Sequence, residues 1–403
     1  MIKHYFHEKI SLFLSFLILN NYFLLSFNSP LFLLKINFSI FFLVVFLFYF
    51  LNYKENLNLK IFFLLLIFIS LGVPLSEWDP RSTWLFHAKR IFYDNSIFIF
   101  ADNYAPFSHN DYPKLAPAFA SSFASLFGIW NEVYPKISFT LIFLPPLIIT
   151  YSFIKNTYYI AFLFLVFFFI GPFLINGWLD GLITIYFCLS VFFMYLLIIN
   201  NYEKYKKNYY LYLLALFFFT SLTLLKNEGT ALLTILFFVT VIIELFKHNL
   251  KFKLGRLFFL LLSFLPIIMW KYFCYSNGIG YNDYINSESL MNFLPRASEL
   301  NNYISISYFL LLNEKFLISL ALFLLSFFIA KNNKLFIFIS FISVIYIFVL
   351  FLVFLNTPHD FYFQLNSTAS RVIRVLSFLL AFFGLYNLMD YNRKLKNLYN
   401  PTL

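Results

Sequence analysis

Apolar stretches of roughly 17–22 residues recur from about residue 11 to residue 389, separated by short polar segments. A helix of about 20 residues crosses the hydrocarbon core of a bilayer, so each stretch is a candidate span. The pattern predicts about twelve, near 11–27, 31–51, 60–75, 135–154, 157–173, 180–200, 209–225, 229–246, 256–273, 313–330, 334–355 and 371–389. Backbone groups in lipid must be satisfied within their own segment, which favours helices over open strands. The expected fold is an all-α polytopic membrane protein.

One apolar segment breaks the alternation. Leu115 to Gly128 (LAPAFASSFASLFG) is short and rich in Ala and Ser. Counting it as a span would turn the lysine-rich loop from Tyr202 to Asn208 outward, against the positive-inside rule. It is therefore expected as an interfacial helix lying at or dipping into the outer membrane surface. It falls within a large outer loop, about 76–134, and further outer segments are expected at about 274–312 and 356–370. The Tyr202–Asn208 loop and the segment from Lys247 to Arg256 anchor the inner side, which then also holds both termini, Lys54, Lys60, Lys155, Lys331 and Lys334. This divides the chain into 1–59, a tail and two additional spans, 60–390, the main membrane domain, and 391–403, a basic cytoplasmic tail. The expected location is a plasma membrane of the bacterial inner-membrane kind.

Composition agrees and excludes a water-soluble globule: 62% of residues are hydrophobic and only 12% charged. The net charge of +11 is scattered over short loops and follows topology. A nucleic-acid partner would need a clustered basic face, and none is present. Cys188, inside a span, and Cys274, at a span end, carry no pairing signal, which leaves the redox compartment open.

Most of the 18 acids fall on the outer side, several at span ends. Glu77, Trp78, Asp79, Pro80 and Arg81 follow the third span, with Lys89 close behind; Asp79 and Pro80 also suit a plain helix start. His109, Asn110, Asp111, Tyr112 and Pro113 precede the interfacial helix. Asn176 to Asp180 (NGWLD) and Lys226 to Gly229 (KNEG) join pairs of spans, where Asp180 and Glu228 also suit helix caps. Ser367 to Arg371 (STASR) opens the last span, and an arginine there needs a partner or an anionic ligand. Acids with a few cations at a lipid–water boundary suit a lipid-linked phosphate substrate.

Absent motifs narrow the chemistry. No phosphate-cradling glycine loop occurs, and the six histidines lack zinc spacing. No cofactor is implied by motif, and a divalent metal would have to be held by distant carboxylates such as Asp79, Asp180 and Glu228.

The ordered pieces WDPRSTWLFHAK (78–89), HNDYP (109–113), NGWLD (176–180), KNEG (226–229) and STASR (367–371) resemble the GT-C superfamily of polyprenyl-phosphate-sugar-dependent glycosyltransferases, nearest the protein mannosyltransferase and aminoarabinose transferase group. The resemblance spans about residues 60–390. Here the usual adjacent acidic pair is split by Trp78, and two additional spans come first.

The resemblance implies an inverting transfer at the outer face, from a polyprenyl-phosphate-linked sugar to a hydroxyl of a glycan, lipid or protein acceptor. Asp79 would be the base. Lys226 and Arg371, with Arg81 and Lys89 as second choices, would bind donor phosphate. Glu77, Trp78, His109, Asp111, Tyr112, Asp180 and Glu228 would contact sugar or acceptor. Competing readings are an O-antigen-type polymerase or ligase with late-loop residues Arg296, His359, Asp360 and Arg371, a transporter or flippase, and a structural membrane subunit.

Overall fold

The computed structural model describes residues 2–51, 56–98, 105, 108–154, 157–199, 209–246, 257–279 and 287–399. Among these, the regular structure is helical with no strand. The two lysine-rich loops used for orientation, 202–208 and 247–256, lie outside the described residues, as do Lys54 and Lys155.

The chain begins with α1 (Ile2–Ser26), α2 (Leu31–Phe50) and α3 (Leu57–Gly72). A π-turn (Pro80–Trp84) leads into α4 (Leu85–Asp94), followed by α5 (Leu115–Phe127). Helices α6 (Ile137–Ile142) and α7 (Leu144–Phe153) are two halves of one rod broken at Phe143. Then come α8 (Thr157–Ile175), α9 (Asp180–Met194, prolonged by a π-turn at Tyr195–Ile199), α10 (Tyr209–Leu225) and α11 (Asn227–Leu245). The last part holds α12 (Leu257–Ser276), α13 (Ser287–Ser298), α14 (Leu300–Leu311), α15 (Glu314–Ala330), α16 (Asn333–Leu355) and α17 (Phe361–Tyr399).

Among the described residues, eight helices are long and apolar enough to span a bilayer: α1, α2, α8, α9, α11, α12, α16 and α17. The pair α14–α15, bent by 68°, raises the number to nine if counted as one span. The remaining expected spans coincide with the shorter apolar helices α3, α6–α7 and α10. The chain is thus an all-α, multi-pass membrane protein. Residues 391–399, expected as a separate tail, continue α17 without a break.

Helix α9 is the axis of the bundle. Its whole apolar window is buried by protein, whereas α2 and α16 bury only 28% of theirs and form the periphery. Helices α8, α10, α11 and α17 surround α9. Two prolines tie this frame together. Pro146 has no N–H to give to the carbonyl of Ile142, and the Tyr186 hydroxyl of α9 donates to it at 3.0 Å. Pro172 likewise leaves the Phe168 carbonyl without its helical donor, and Lys315 Nζ of α15 donates to it at 2.8 Å.

The structure corrects the placement of α5. Leu115 through Ser125 are all buried by protein, against α1, α2 and α4, and do not lie on a surface. The Phe119 ring sits 4.6 Å from Phe38 and 5.2 Å from Phe41, well along α2. Ala and Ser are small enough for this close packing. The hydroxyls of Ser122 and Ser125 donate back to Ala118 and Ser121, so no polar group is stranded. Cys188 and Cys274 are free and buried.

Candidate functional site

Three connections, the segment after α3 and the α8–α9 and α10–α11 turns, meet α17 about three turns from its start, at Arg371. Two glycines let them approach. Gly177 has φ +87, a left-handed conformation, and a Cβ there would lie 3.2 Å from the Pro80 Cβ. The NGW turn therefore packs directly beneath the π-turn that follows Asp79. At Gly229 a Cβ would stand 2.0 Å from the Leu222 carbonyl oxygen, so α10 and α11 close on each other only with glycine at this position.

The result is a chain of five charged side chains. Arg371 Nη2 donates to Asp79 Oδ2 at 2.8 Å and to Asp180 Oδ2 at 2.9 Å. Asp180 Oδ1 lies 3.9 Å from Lys226 Nζ, which pairs with Glu228 Oε1 at 2.7 Å. The Arg371 guanidinium also stacks over the Trp178 ring at 3.8 Å. Asp180 and Glu228 stand in the first turns of α9 and α11, where the helix dipole favours an anion. Asp79 does not cap its helix through the side chain; its carboxylate is committed to Arg371. Burial disfavours the Lys226 ammonium, yet Glu228 and Asp180 outweigh it and hold its pKa above the ordinary lysine value.

A second group adjoins the first. Asp111 Oδ2 accepts from Lys271 Nζ at 3.0 Å and from Asn227 Nδ2 at 2.9 Å, while Trp270 Nε1 donates to the Asp111 carbonyl at 2.9 Å. Tyr112 stacks between Trp84 and His109, with ring centroids 5.7 and 4.7 Å away, and Lys226 stands 5.9 Å over its ring. His109 adopts φ 52 to make this turn. His87 anchors it through the Ser108 carbonyl at 2.8 Å, and burial keeps that imidazole neutral by lowering its pKa. Lys114, fully buried, has its pKa pulled by burial to about 7, with Asp111 the chief opposing charge.

Beside both groups lies a cavity of about 500 Å³, lined by Asn227, Thr230, Thr234, Ile235, Ile267 and Lys271 among others. Buried polar atoms without a protein partner surround this end: Asp111 Oδ1, Asn227 Oδ1, Glu228 Oε2, Arg371 Nε and Trp178 Nε1. They leave hydrogen-bonding capacity for a polar ligand.

Of the residues singled out in the sequence, Asp79, Asp180, Lys226, Glu228 and Arg371 form the charged chain, and His109, Asp111 and Tyr112 form the adjoining group. Glu77, Arg81 and Lys89 are exposed and make no ion pair with it, and the Trp78 side chain is 64% exposed. The three carboxylates suggested for a divalent ion do not form a ligand set: Arg371 stands between Asp79 and Asp180, and Lys226 between Asp180 and Glu228. No group of three His, Cys, Asp or Glu suited to a metal occurs among the described residues. In the late loop, Arg296 donates to the Thr357 and His359 carbonyls, a backbone clamp. Lys271, Trp270, Trp178 and Asn227 were not singled out as site residues. A lysine inside the apolar run LPIIMWKYF was the available signal for the first two.

Comparison with protein-family models, with curated proteins and with solved structures yields no match to this chain.

Proposed function

We propose that the protein is a membrane glycosyltransferase of the GT-C kind, moving a sugar from a polyprenyl-phosphate carrier to an acceptor hydroxyl with inversion at the anomeric carbon. The supporting observation is the five-membered chain Asp79–Arg371–Asp180–Lys226–Glu228, assembled from three helix starts and the flank of α17 beside a cavity. In this reading the twelve apolar segments all cross the membrane, both termini are cytoplasmic, and the site faces the extracytoplasmic side.

The arrangement suggests a coupled proton and charge movement. The acceptor O–H gives its proton to Asp79 as its oxygen bonds to the anomeric carbon. The bond from that carbon to the phosphate oxygen breaks, and its electron pair stays on the lipid phosphate. Once protonated, Asp79 no longer neutralises Arg371, so a positive charge becomes available as negative charge grows on the leaving phosphate. Asp180 stays ionised between Arg371 and Lys226 and holds both in place. The cavity beside Asn227, Thr230 and Lys271, whose walls are almost wholly apolar, provides room for an acceptor.

The test is transfer by purified protein in proteoliposomes, supplied with a panel of radiolabelled polyprenyl-phosphate sugars and candidate acceptors. One donor should support transfer with inverted anomeric configuration. A retained configuration, or no transfer from any polyprenyl-phosphate sugar, would refute the reading.

A further inference from the structure

The two cations expected to bind donor phosphate are already matched by three carboxylates, whereas two others nearby are not. Arg374 lies one turn along α17 from Arg371, with its guanidinium 4.7 Å over the Phe173 ring of α8. Lys315, in the first turn of α15, lies 4.7 Å over the Phe168 ring of the same helix. Among the described residues neither forms an ion pair with a carboxylate. Arg374 Nε is buried and bonded to nothing. The charge of Arg374 acts on Lys315, and the acid that acts on Arg374 is Asp180, already held by Arg371 and Lys226.

Two uncompensated cations at a membrane boundary are costly unless an anion joins them. Their surroundings describe that anion. Phe164, Phe167, Leu317 and Ile318 on α8 and α15 are exposed apolar residues, on a surface fit to meet lipid chains. Lys315 is held in place by the Phe168 carbonyl that Pro172 leaves free, and the N-terminus of α15 adds its dipole. A tetrahedral, doubly accepting headgroup attached to an apolar chain fits both features.

We propose that Arg374 and Lys315 seat the phosphate of a polyprenyl-phosphate lipid, which enters sideways between α8, α15 and α17 and lies one helical turn from Arg371. The identity of that lipid as sugar carrier rests on the proposed function; the seat rests on the unpaired cations. The Asn227–Lys271 cavity left for the acceptor is lined by other residues.

The experiment is equilibrium binding of radiolabelled polyprenyl phosphate to the full chain in phosphatidylcholine nanodiscs, with unlabelled phosphatidylglycerol and inorganic phosphate as competitors. Arg374→Gln with Lys315→Gln should weaken binding by about tenfold or more, as loss of charge-assisted bonds to phosphate implies. The charge-keeping pair Arg374→Lys with Lys315→Arg should bind within about threefold of the parent. Lys334→Gln, on α16, should not change it. If the double glutamine variant does not fold, the charge-keeping pair and Lys315→Gln alone give the same comparison. Undiminished binding in the folded glutamine variants overturns the seat but leaves the proposed function standing. Equal competition by phosphatidylglycerol identifies a bulk-lipid site, and equal competition by inorganic phosphate a free-anion site; either overturns the carrier assignment. Absence of any binding to the parent protein overturns both the seat and the reading on which it rests.

Discussion

Arg371 and Asp79 are 292 residues apart in the chain and 2.8 Å apart in space, joined by a charge-assisted hydrogen bond at the end of the bundle. The pair links the acidic turn that follows α3 to α17. If Asp79 is the base, Asp79→Asn should lower the transfer rate by about two orders of magnitude or more, as expected for a lost general base. The protein should remain folded, because Arg371 keeps Asp180 at 2.9 Å. Near-parental turnover by a monodisperse Asp79→Asn protein would remove Asp79 from the mechanism.

Asp180 is the structural centre of the charged chain, since it faces both Arg371 and Lys226. Asp180→Ala leaves two largely buried cations with one carboxylate fewer between them. It should cost about 3–5 kcal/mol, the range for breaking a buried pair from one side. Asp79 is more exposed, so Asp79→Ala should cost less. Unfolding midpoints of the two variants in the same detergent give the comparison, and equal losses would contradict this ranking.

Gly229→Ala tests backbone contact without touching charge. The added methyl would meet the Leu222 carbonyl oxygen at 2.0 Å, and backbone cannot turn aside as a side-chain tip can. Separation of α10 and α11 should cost about 1–3 kcal/mol or more. It should also move Lys226 and Glu228 relative to Asp180, so transfer falls along with the melting temperature. Gly72→Ala, where nothing lies within 4 Å of the new methyl, is the control.

Lys114 makes stability depend on pH. Burial lowers its pKa from 10.5 to about 7 in the folded protein. Between those values the unfolded chain binds the additional proton, so stability rises as pH increases through this window and levels off above it. Below about pH 7 the ammonium is charged in both states and its burial opposes folding fully. Lys114→Met should flatten the rise in unfolding midpoint between about pH 7 and pH 9.5, with the largest gain at the acid end. An unchanged slope would show that other groups set it.

The positions of the helices were legible in the sequence because a continuous apolar run is a strong signal in any lipid-facing or buried context. The order of burial was not. Lipid and protein interior are equally apolar, so nothing in the composition of α9 distinguishes a central helix from the peripheral α2. The same limit hid α5, whose alanines and serines read as a surface element but serve close packing. The charged residues were easier. Asp180, Lys226 and Glu228 stand at helix starts and Arg371 inside α17, which begins ten residues before it, and the structure brings them together with Asp79. The individual pairings were not readable, because they depend on which loop ends face each other. Arg81 and Lys89 are exposed and lie outside the charged chain, whereas Lys271, inside an apolar run, pairs with Asp111.

The two carbonyls released by Pro146 and Pro172 are claimed by Tyr186 and Lys315, side chains of other helices. This works as a key in a lock. Sliding α8 past α15, or the α6–α7 rod past α9, by a single turn would strand a carbonyl in hydrocarbon at several kcal/mol each. The frame around α9 therefore resists the rocking of half-bundles that alternating access requires.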